Sequence, residues 1–369
     1  MVEWKKLGEL STVQRGKRLT KKLLSENEVY PVYHGGIEPL GYFKEFNRLE
    51  NTVMVINVGA SAGSVGFSNQ KFWSSDGCFC ISHNKFINNK YLYFFLLGKE
   101  QYLRSQVRYA GIPTLDSSAI EKIQIPIPPL SEQNRIVGIL DTFTKSIENL
   151  KKQITERKKQ YEHYRDQLYN LDNWEIKRIG ETTKVFTCPR VYKNQWASSG
   201  VPFWRSSDVI SFSKGVPNPK GNVYISEELY NQLSNNNERI LSGDILVTGG
   251  GTIGIPFIKK DDSPLFVKDA DLICIKKSPS LLTKFLFFYF DTSFFKSYLK
   301  KITHDATIAH YTINQILSTP VPKPSLSIQS NIVQILDTFE VSIANLEQQL
   351  THRQKQYEYY RNMLLTFDE

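Results

Sequence analysis

The chain has 369 residues, of which 40% are hydrophobic and 12% aromatic, so it can bury cores and is not a disordered basic tail or a collagen-like chain. Its 46 Lys and Arg against 37 Asp and Glu give a net charge of +9. The four cysteines match no disulfide framework, and no segment has the character of a membrane span or a signal peptide. These features predict two or three domains of a cytoplasmic protein, and the basic charge points loosely to nucleic acid.

Residues 1–130 are predicted to form a first globular domain. Residues 59–66 are glycine-rich and lie between apolar runs, which favours a strand, a tight turn and a second strand. Cys78 and Cys80 alternate with Phe79, as expected for a buried strand and not for a metal site. Basic and aromatic side chains in loops suit phosphate and base contacts. The candidate DNA contacts in this domain are Arg15, Lys17, Arg18, Lys21, Lys22, Tyr33, His34, Arg104, Arg108, Tyr109 and Thr114.

Residues 131–171 are predicted to form a long helix after the proline-rich segment 125–129. Apolar residues recur at alternating spacings of four and three, which is a coiled-coil pattern, and Arg157 interrupts it. The predicted seam residues are Ile136, Leu140, Phe143, Ile147 and Leu150. About 40 residues at roughly 1.5 Å rise give a helix of roughly 60 Å.

Residues 172–326 are predicted to form a second globular domain. Its glycine-rich segment 249–254 is not followed by Lys-Ser or Lys-Thr, so a strand–turn–strand is favoured over a phosphate-binding loop. The candidate DNA contacts in this domain are Arg190, Lys193, Arg205, Ser206, Lys220, His304, Thr307, His310 and Tyr311.

Residues 327–369 are predicted to form a second long helix that repeats the first. Residues 136–143 recur at 332–339, and 21 of the 35 positions from Ile136 and Ile332 onward are identical. The second seam is Ile332, Leu336, Phe339, Ile343 and Leu346, with Arg353 in the gap. The sequence therefore predicts an α+β protein with an internal pseudo-twofold repeat, in which two globules of mixed sheet and helices are joined by two long antiparallel coiled-coil helices.

The positive charge is located on the predicted globules. Residues 1–125 carry +5 and residues 172–320 carry +4, whereas residues 126–171 carry +2 and residues 321–369 carry −2. The long helices together are neutral, so we expect the globules and not the helices to contact phosphates.

No catalytic or metal-binding motif is present in the sequence. Neither a Gly-x-Ser-x-Gly elbow nor a His-Glu-x-x-His pair occurs, and there is no Asn-Pro-Pro-Tyr or Asp-Pro-Pro-Tyr segment of the adenine methyltransferases. We therefore predict a non-catalytic DNA-recognition protein. Two alternatives remain open at this point: a coiled-coil scaffold with basic protein-binding globules, and an enzyme with an unrecognised site.

The segment Pro-x-Pro-Pro-Leu-x-Glu-Gln-x-x-Ile at 126–136, its second copy and the tryptophan near the start of each half resemble the specificity subunit of type I restriction–modification enzymes. In the second copy Lys323, Ser325 and Ile328 depart from the motif and could loosen the junction there, while Gln329 keeps the position of Gln133. The resemblance implies two target recognition domains that each read half of a bipartite double-stranded DNA target. It also implies helices that set the spacer and dock two methyltransferase (M) subunits, to which restriction (R) subunits are added. S-adenosylmethionine is expected on the M subunits and no cofactor on this chain.

Overall fold

The computed structural model describes residues 2–170, 172, 174–218, 220–234, 239–303 and 310–367. The chain divides into two compact units. Unit 1 comprises Met1–Lys152 and Glu347–Glu369, and unit 2 comprises Gln153–Leu346. Each unit therefore contains one globule together with part of each long helix.

Among its described residues, unit 1 contains nine strands, four short helices and parts of two long helices. The strands are β1 (Glu3–Lys6), β2 (Val13–Arg15), β3 (Tyr30–Tyr33), β4 (Gly41–Phe43), β5 (Thr52–Ile56), β6 (Val65–Ser68), β7 (Trp73–Ser74), β8 (Cys78–Ile81) and β9 (Gln124–Ile127). The helices are α1 (Leu7–Leu10), α2 (Asn89–Gly98), α3 (Glu100–Ser105), α4 (Ser117–Glu121) and α5 (Leu130–Leu168). The sheets have the orders β1-β9, β2-β8-β5-β6 and β4-β3-β7, and β3 pairs with β7 in parallel.

The four-stranded sheet of unit 1 is buried on both faces. Because successive side chains of a strand point to opposite faces, Val53 and Val55 of β5 join the core that includes α2 and the start of α5. Met54 and Ile56 instead join a second core with Cys78 and Cys80 of β8, among other residues. The strand–turn–strand prediction for 59–66 and the buried-strand prediction for the two cysteines are both confirmed.

Unit 2 repeats this architecture. Its strands are β10 (Ile176–Arg178), β11 (Val185–Phe186), β12 (Val201–Trp204), β13 (Tyr224–Ile225), β14 (Ile245–Thr248), β15 (Pro256–Ile258), β16 (Phe266–Val267), β17 (Leu272–Ile275) and β18 (Pro320–Pro322). Its helices are α6 (Ile179–Thr182), α7 (Ser206–Ser213), α8 (Glu227–Leu233), α9 (Thr283–Tyr289), α10 (Ser293–Thr303), α11 (Ile313–Ser318) and α12 (Leu326–Leu365), of which the last continues into unit 1.

The nine strands of unit 2 match those of unit 1 one for one. The sheet orders are β10-β18, β11-β17-β14-β15 and β13-β12-β16, and β12 pairs with β16 in parallel. The repeat of the fold therefore extends through the globules, where the sequence identity between the copies decays. Helices α7 and α8, which flank β13, have no counterpart among the helices described in unit 1.

The long helices begin at Leu130 and Leu326, so Ser131 and Ser327 lie in their first turns. In unit 1 the start of α5 and the end of α12 share one core, which contains Ile136, Leu140 and Leu365. In unit 2 Ile332 and Leu336 from the start of α12 share a core with Tyr169, which follows the end of α5. This pairing is the one expected of antiparallel helices. No described helix combines the length and apolarity needed to cross a bilayer.

Candidate nucleic-acid interface

The parallel strand pair of unit 1 brings together side chains that are distant in sequence. Strands β3 and β7 end at the same edge of their sheet. His34 directly follows β3, and Asp76 lies two residues after β7. His34 Nδ1 accepts a hydrogen bond from the Gly77 N–H at 3.2 Å and lies 3.3 Å from Asp76 Oδ1. Arg15 Nε donates to the carbonyl oxygen of Asp76 at 3.1 Å. Arg15 and His34, both candidate contacts, therefore lie at one edge.

A loop at residues 108–114 lies beside this edge. Arg108 and Thr114 close the loop through two backbone hydrogen bonds of 2.9 and 3.0 Å, and Thr114 also bridges to Val58. Val58 in turn packs next to Gly77, whose turn leaves no room for a side chain. The loop presents Tyr109, which is 74% exposed.

Arg104 is placed by the glycine turn between β5 and β6. Gly63 has a φ of +88°, and a Cβ there would lie 2.8 Å from the Arg104 backbone nitrogen, so the turn can approach α3 only as glycine. Arg104 Nη2 donates to Ser64 Oγ and to Glu100 Oε1, both at 2.8 Å. Half of its side chain remains exposed.

The remaining basic candidates of unit 1 are exposed. Lys17 is fixed through its backbone, because its carbonyl oxygen accepts from Trp73 Nε1 at 2.8 Å and its N–H donates to Ser74. Arg18 follows it on the surface, and Lys21 and Lys22 lie on a short 3-10 helix, Lys21–Leu23. These side chains are free to reach a polyanion.

Unit 2 has an open cleft of about 700 Å³ at the corresponding edge. It is lined by Tyr192, Lys193, Trp196, Arg205, Ser206, Lys220, Gly250, Gly251, Lys268 and Asp271, among others. The cleft thus combines three lysines with an exposed tyrosine and a half-buried tryptophan. Cationic and aromatic side chains in a concave surface suit a phosphate backbone and base edges.

Two of the candidate DNA contacts in this cleft are instead hydrogen-bonded within the protein. Arg205 donates from Nε to Asp208 Oδ2 at 3.0 Å and from Nη2 to the Gly221 carbonyl at 2.6 Å, and its side chain is 11% exposed. Ser206 is buried and donates to the Asp271 carbonyl at 2.6 Å. Both therefore form part of the wall of the cleft. Their polar groups are less available to DNA than those of the exposed Lys193 and Lys220.

Helix α7 forms one wall of the cleft and is anchored by aromatic packing. The ring of Phe212 lies 4.7 Å from that of Trp204 and 6.0 Å from that of Phe257, between centroids. The Asp208 carboxylate accepts from the Arg205 N–H at the start of α7 at 2.8 Å. The cleft is therefore built partly by a segment that unit 1 lacks.

Each unit has an arginine that bonds an equivalent aspartate, from the end of β2 in unit 1 and from the segment after β11 in unit 2. Arg190 Nε donates to Asp269 Oδ2 at 2.8 Å, as Arg15 donates to the Asp76 carbonyl, and each aspartate follows the second strand of the parallel pair. Arg190 remains 65% exposed. His310 is exposed and bridges to Gly250, as Thr114 bridges to Val58.

Tyr33 and Tyr311 are buried, contrary to the expectation that they contact DNA. Tyr33 is 8% exposed with its ring 5.4 Å from that of Phe72, and Tyr311 is fully buried and bonded to Thr319. Burial raises the pKa of both phenols. Both are core residues, because their strand or loop points them inward, and they do not face DNA. His304 and Thr307 lie outside the described residues.

The sequence pattern does not single out several residues of the candidate interface. Tyr192, Trp196 and Lys268 line the cleft of unit 2, and Asp76 organises the edge of unit 1. Lys268 and Asp76 follow the short strands β16 and β7. Both residues could be predicted if those strands were recognised as the partners of β12 and β3. Tyr192 and Trp196 flank Lys193 in sequence, so the interleaving of aromatic and basic residues was a usable signal.

A buried glutamine joins each globule to its long helix. Gln133 is fully buried; its Oε1 accepts from the Asn88 N–H at 2.8 Å, and its Nε2 donates to the Phe86 and Pro128 carbonyls at 2.9 Å each. Gln329 repeats this set in unit 2 with the Leu282 N–H and the Ser280 and Pro324 carbonyls. The junction of unit 2 is therefore as fully bonded as that of unit 1, in spite of the changed motif.

The helix seam has an inner and an outer part. Ile136, Leu140, Ile332 and Leu336 are buried in the globule cores, whereas Phe143, Ile147, Leu150, Phe339, Ile343 and Leu346 are half-buried. In unit 1 Phe143 stacks on Tyr360 with centroids 5.3 Å apart, and Arg353 lies over the Phe143 ring at 5.7 Å. In unit 2 Arg157 lies over the Phe339 ring at the same distance. The arginines that interrupt the apolar pattern thus pack on the rings of the paired helix.

Comparison with known proteins decides the family. A family model described as the type I restriction modification DNA specificity domain matches residues 1–157 and 171–353. The chain belongs to this family. It is 30% identical over 387 residues to a type I restriction enzyme specificity subunit of Haemophilus influenzae, over 99% of this chain and 96% of that protein. It is 25% identical over 346 residues to the MjaVIII specificity subunit of Methanocaldococcus jannaschii, over 88% of this chain and 80% of that protein.

Solved structures share the fold. The S subunit of a type I restriction–modification system from M. genitalium superimposes with a TM-score of 0.63 at 16% identity, covering 100% of this chain and 97% of that one. The chain is a DNA specificity subunit and not a catalytic one. Among the residues that the structure describes, no group of three or more His, Cys, Asp or Glu is placed to bind a metal ion.

Proposed function

We propose that each unit reads one half of a bipartite DNA target through the edge at the carboxyl ends of its parallel strand pair. The observation that carries this proposal is the cleft of unit 2, which Lys193, Lys220 and Lys268 line together with Tyr192 and Trp196. The edge with Arg15, His34 and Arg108 would act in the same way in unit 1. Because the side chains at the two edges differ, the two half-sites would differ in sequence.

We also propose that the long helices set the spacer between the half-sites and dock two M subunits, to which R subunits are added. The two helix segments 126–171 and 321–369 together have no net charge, which suits protein contact better than phosphate contact. S-adenosylmethionine would be held by the M subunits. The complex would act in the cytoplasm, where its DNA substrate lies.

The half-site proposal is tested with the chain in complex with its cognate M subunits. Methylated positions are mapped genome-wide in cells carrying the wild-type complex, and DNA affinity is measured at several salt concentrations. Lys220→Gln in the cleft should lower affinity and flatten the salt dependence, since one phosphate contact contributes about 0.9 to the slope of log K against log salt. Lys355→Gln removes the same charge from an exposed position of α12 and should leave the slope unchanged.

The scaffold alternative predicts a different result. A scaffold with protein-binding globules would show no steep salt dependence and no defined methylated sequence.

The spacer proposal is tested by deleting one heptad from each long helix. The preferred distance between half-sites should then shorten. One turn of DNA spans roughly 34–36 Å, which is the length scale of such a spacer. If the spacer were unchanged in the shortened variant, the helices would not act as a ruler.

A further inference from the structure

Unit 1 has a cavity of about 240 Å³ between the end of α2 and the end of α12. Trp4 and Phe95 form part of its apolar wall, while Lys99, Arg361 and Asn362 supply polar groups. Two cations thus share a small recess. It is built from elements other than the edge at the ends of β3 and β7.

The equivalent arginine of unit 2 is paired with carboxylates. Arg165 corresponds to Arg361 in the repeat, and each guanidinium lies over a tyrosine of its own helix, at 5.5 Å from the Tyr161 ring and 5.6 Å from the Tyr357 ring. Arg165 is 5% exposed and pairs with two carboxylates, those of Asp291 and Asp166. A buried guanidinium is thereby neutralised within unit 2.

Both carboxylates are replaced in unit 1. Asn362 stands where Asp166 stands in the other copy. The pairs Lys90–Asp141 and Lys284–Asp337 align α2 with α9 at an offset of 194 residues. At that offset, position 97, a leucine, takes the place of Asp291.

Among the residues that the structure describes, Arg361 consequently has no carboxylate partner in unit 1. Arg361 Nε is buried without a hydrogen-bond partner in the described part of the chain. Its Nη2 donates to Asn362 Oδ1 at 3.3 Å, and the Tyr357 hydroxyl interacts with the same guanidinium. The buried Trp4 Nε1 also has no partner. Lys99 Nζ lies 5.6 Å from the Phe95 ring, and within the described part of the chain neither Lys99 nor Arg361 forms an ion pair. Leaving the buried Arg361 Nε and Trp4 Nε1 unpaired is unfavourable, and the exposed Lys99 adds a second positive charge to the lining.

We propose that this cavity binds one carboxylate, supplied by an acidic side chain of a partner protein. Unit 2 provides the chemical precedent, since an aspartate side chain fills the equivalent place there. The small volume and the apolar wall suit a carboxylate on a short side chain better than a DNA phosphodiester. The proposal rests on the proposed function in one respect, namely that the chain works in a complex with protein subunits.

Gly98 offers a direct test, because it ends α2, has no positive φ, and a Cβ built on it meets only Arg361 Nε, at 3.9 Å. Gly98→Asp therefore places a carboxylate beside Arg361 from within the chain. Gly98→Asn has nearly the same shape without the charge and is the matched control. Arg361→Gln removes the guanidinium that would bind the carboxylate. Thermal unfolding shows whether each variant folds.

The first measurement is made on the full chain alone. The Nε–H signals of Trp4 and Arg361 are followed by NMR while sodium acetate replaces sodium chloride at constant ionic strength. In the wild type and in Gly98→Asn both signals should shift with acetate, whereas Gly98→Asp should not respond and Arg361→Gln should lose the response at Trp4. If acetate moved neither signal in the wild type, the carboxylate site would be refuted.

The second measurement identifies the source of the carboxylate. Affinity for the cognate M subunit should fall at least about tenfold in Gly98→Asp and in Arg361→Gln, but not in Gly98→Asn. Equal affinity of Gly98→Asp and Gly98→Asn would overturn the partner protein as the source, even if acetate binds. Failure of the wild-type complex to methylate a defined DNA sequence would count against the proposed function, while the acetate titration would still decide the site.

Discussion

The buried glutamine at the start of each long helix gives a quantitative prediction about how the globule is held. Gln133→Ala removes one acceptor from the Asn88 N–H and one donor from each of two carbonyls, all within a fully buried junction. A buried polar group left unpaired costs about 1–3 kcal/mol, and some of these groups will be reached by water in the enlarged space. We therefore expect the local free energy of unfolding to fall by roughly 2–4 kcal/mol.

Hydrogen exchange measured by mass spectrometry reads this change locally. A loss of 2–4 kcal/mol corresponds to exchange that is roughly 30- to 700-fold faster in the peptides covering α2, since each 1.4 kcal/mol is a factor of about ten. Gln133→Met retains most of the side-chain volume and separates lost hydrogen bonds from lost packing. Gln329→Ala should produce the same acceleration in α9 of unit 2.

The matched control is Gln334→Ala, at an exposed position of α12, which should change stability by less than about 0.5 kcal/mol. If Gln133→Ala accelerated exchange in α2 no more than this control does, the three hydrogen bonds would not hold the junction. The reasoning would also be refuted if Gln133→Met were as stable as the wild type, because packing alone would then suffice.

Three further predictions concern single charged groups. Asp244→Ala should lower the stability of unit 2 by about 3 kcal/mol in urea unfolding, because the buried carboxylate accepts from Lys276 Nζ at 2.6 Å and from two backbone N–H groups; a change below about 1 kcal/mol would contradict this. Arg353→Ala should cost about 0.5–1 kcal/mol through loss of the contact with the Phe143 ring, and Arg353→Lys less, as thermal melting can measure. Lys268→Gln should weaken DNA binding by the complex about equally for target and non-target DNA; selective loss on the target would instead make Lys268 a base contact.

Much of the architecture could be predicted from the sequence because it repeats. The helix seam has a heptad period, and the identity between the copies is highest there. Ile136 and Ile332, which this period places on the apolar face of the helices, are buried in the globule cores. The glycine turns were also assigned correctly, since Gly63 needs a positive φ and lies between apolar runs.

The candidate site was harder to predict because its residues meet through strands of only two to four residues. Strands β7 and β16 each contain two residues, too few to show an alternating pattern. The parallel pairing that places Asp76 beside His34 was therefore not visible. Tyr311 was misassigned because a tyrosine next to a histidine in a polar segment looks exposed, whereas its ring packs 5.8 Å from that of Phe295 in the core.

The layered structure of each globule explains how the globules could diverge between the two copies while the long helices stayed nearly constant. In unit 2 the central sheet sends Ile245 and Val247 to the core that holds the long helix, and Leu246 to a separate core on the other face. Helix α7, which forms a wall of the cleft, contributes Val209 to this second core alone. The hydrogen-bonded central sheet thus lies between α7 and the core that holds the long helix. Substitutions that alter the cleft should therefore change DNA recognition without changing the helix junction, and the Gln329 hydrogen bonds should persist in any variant of α7 that folds.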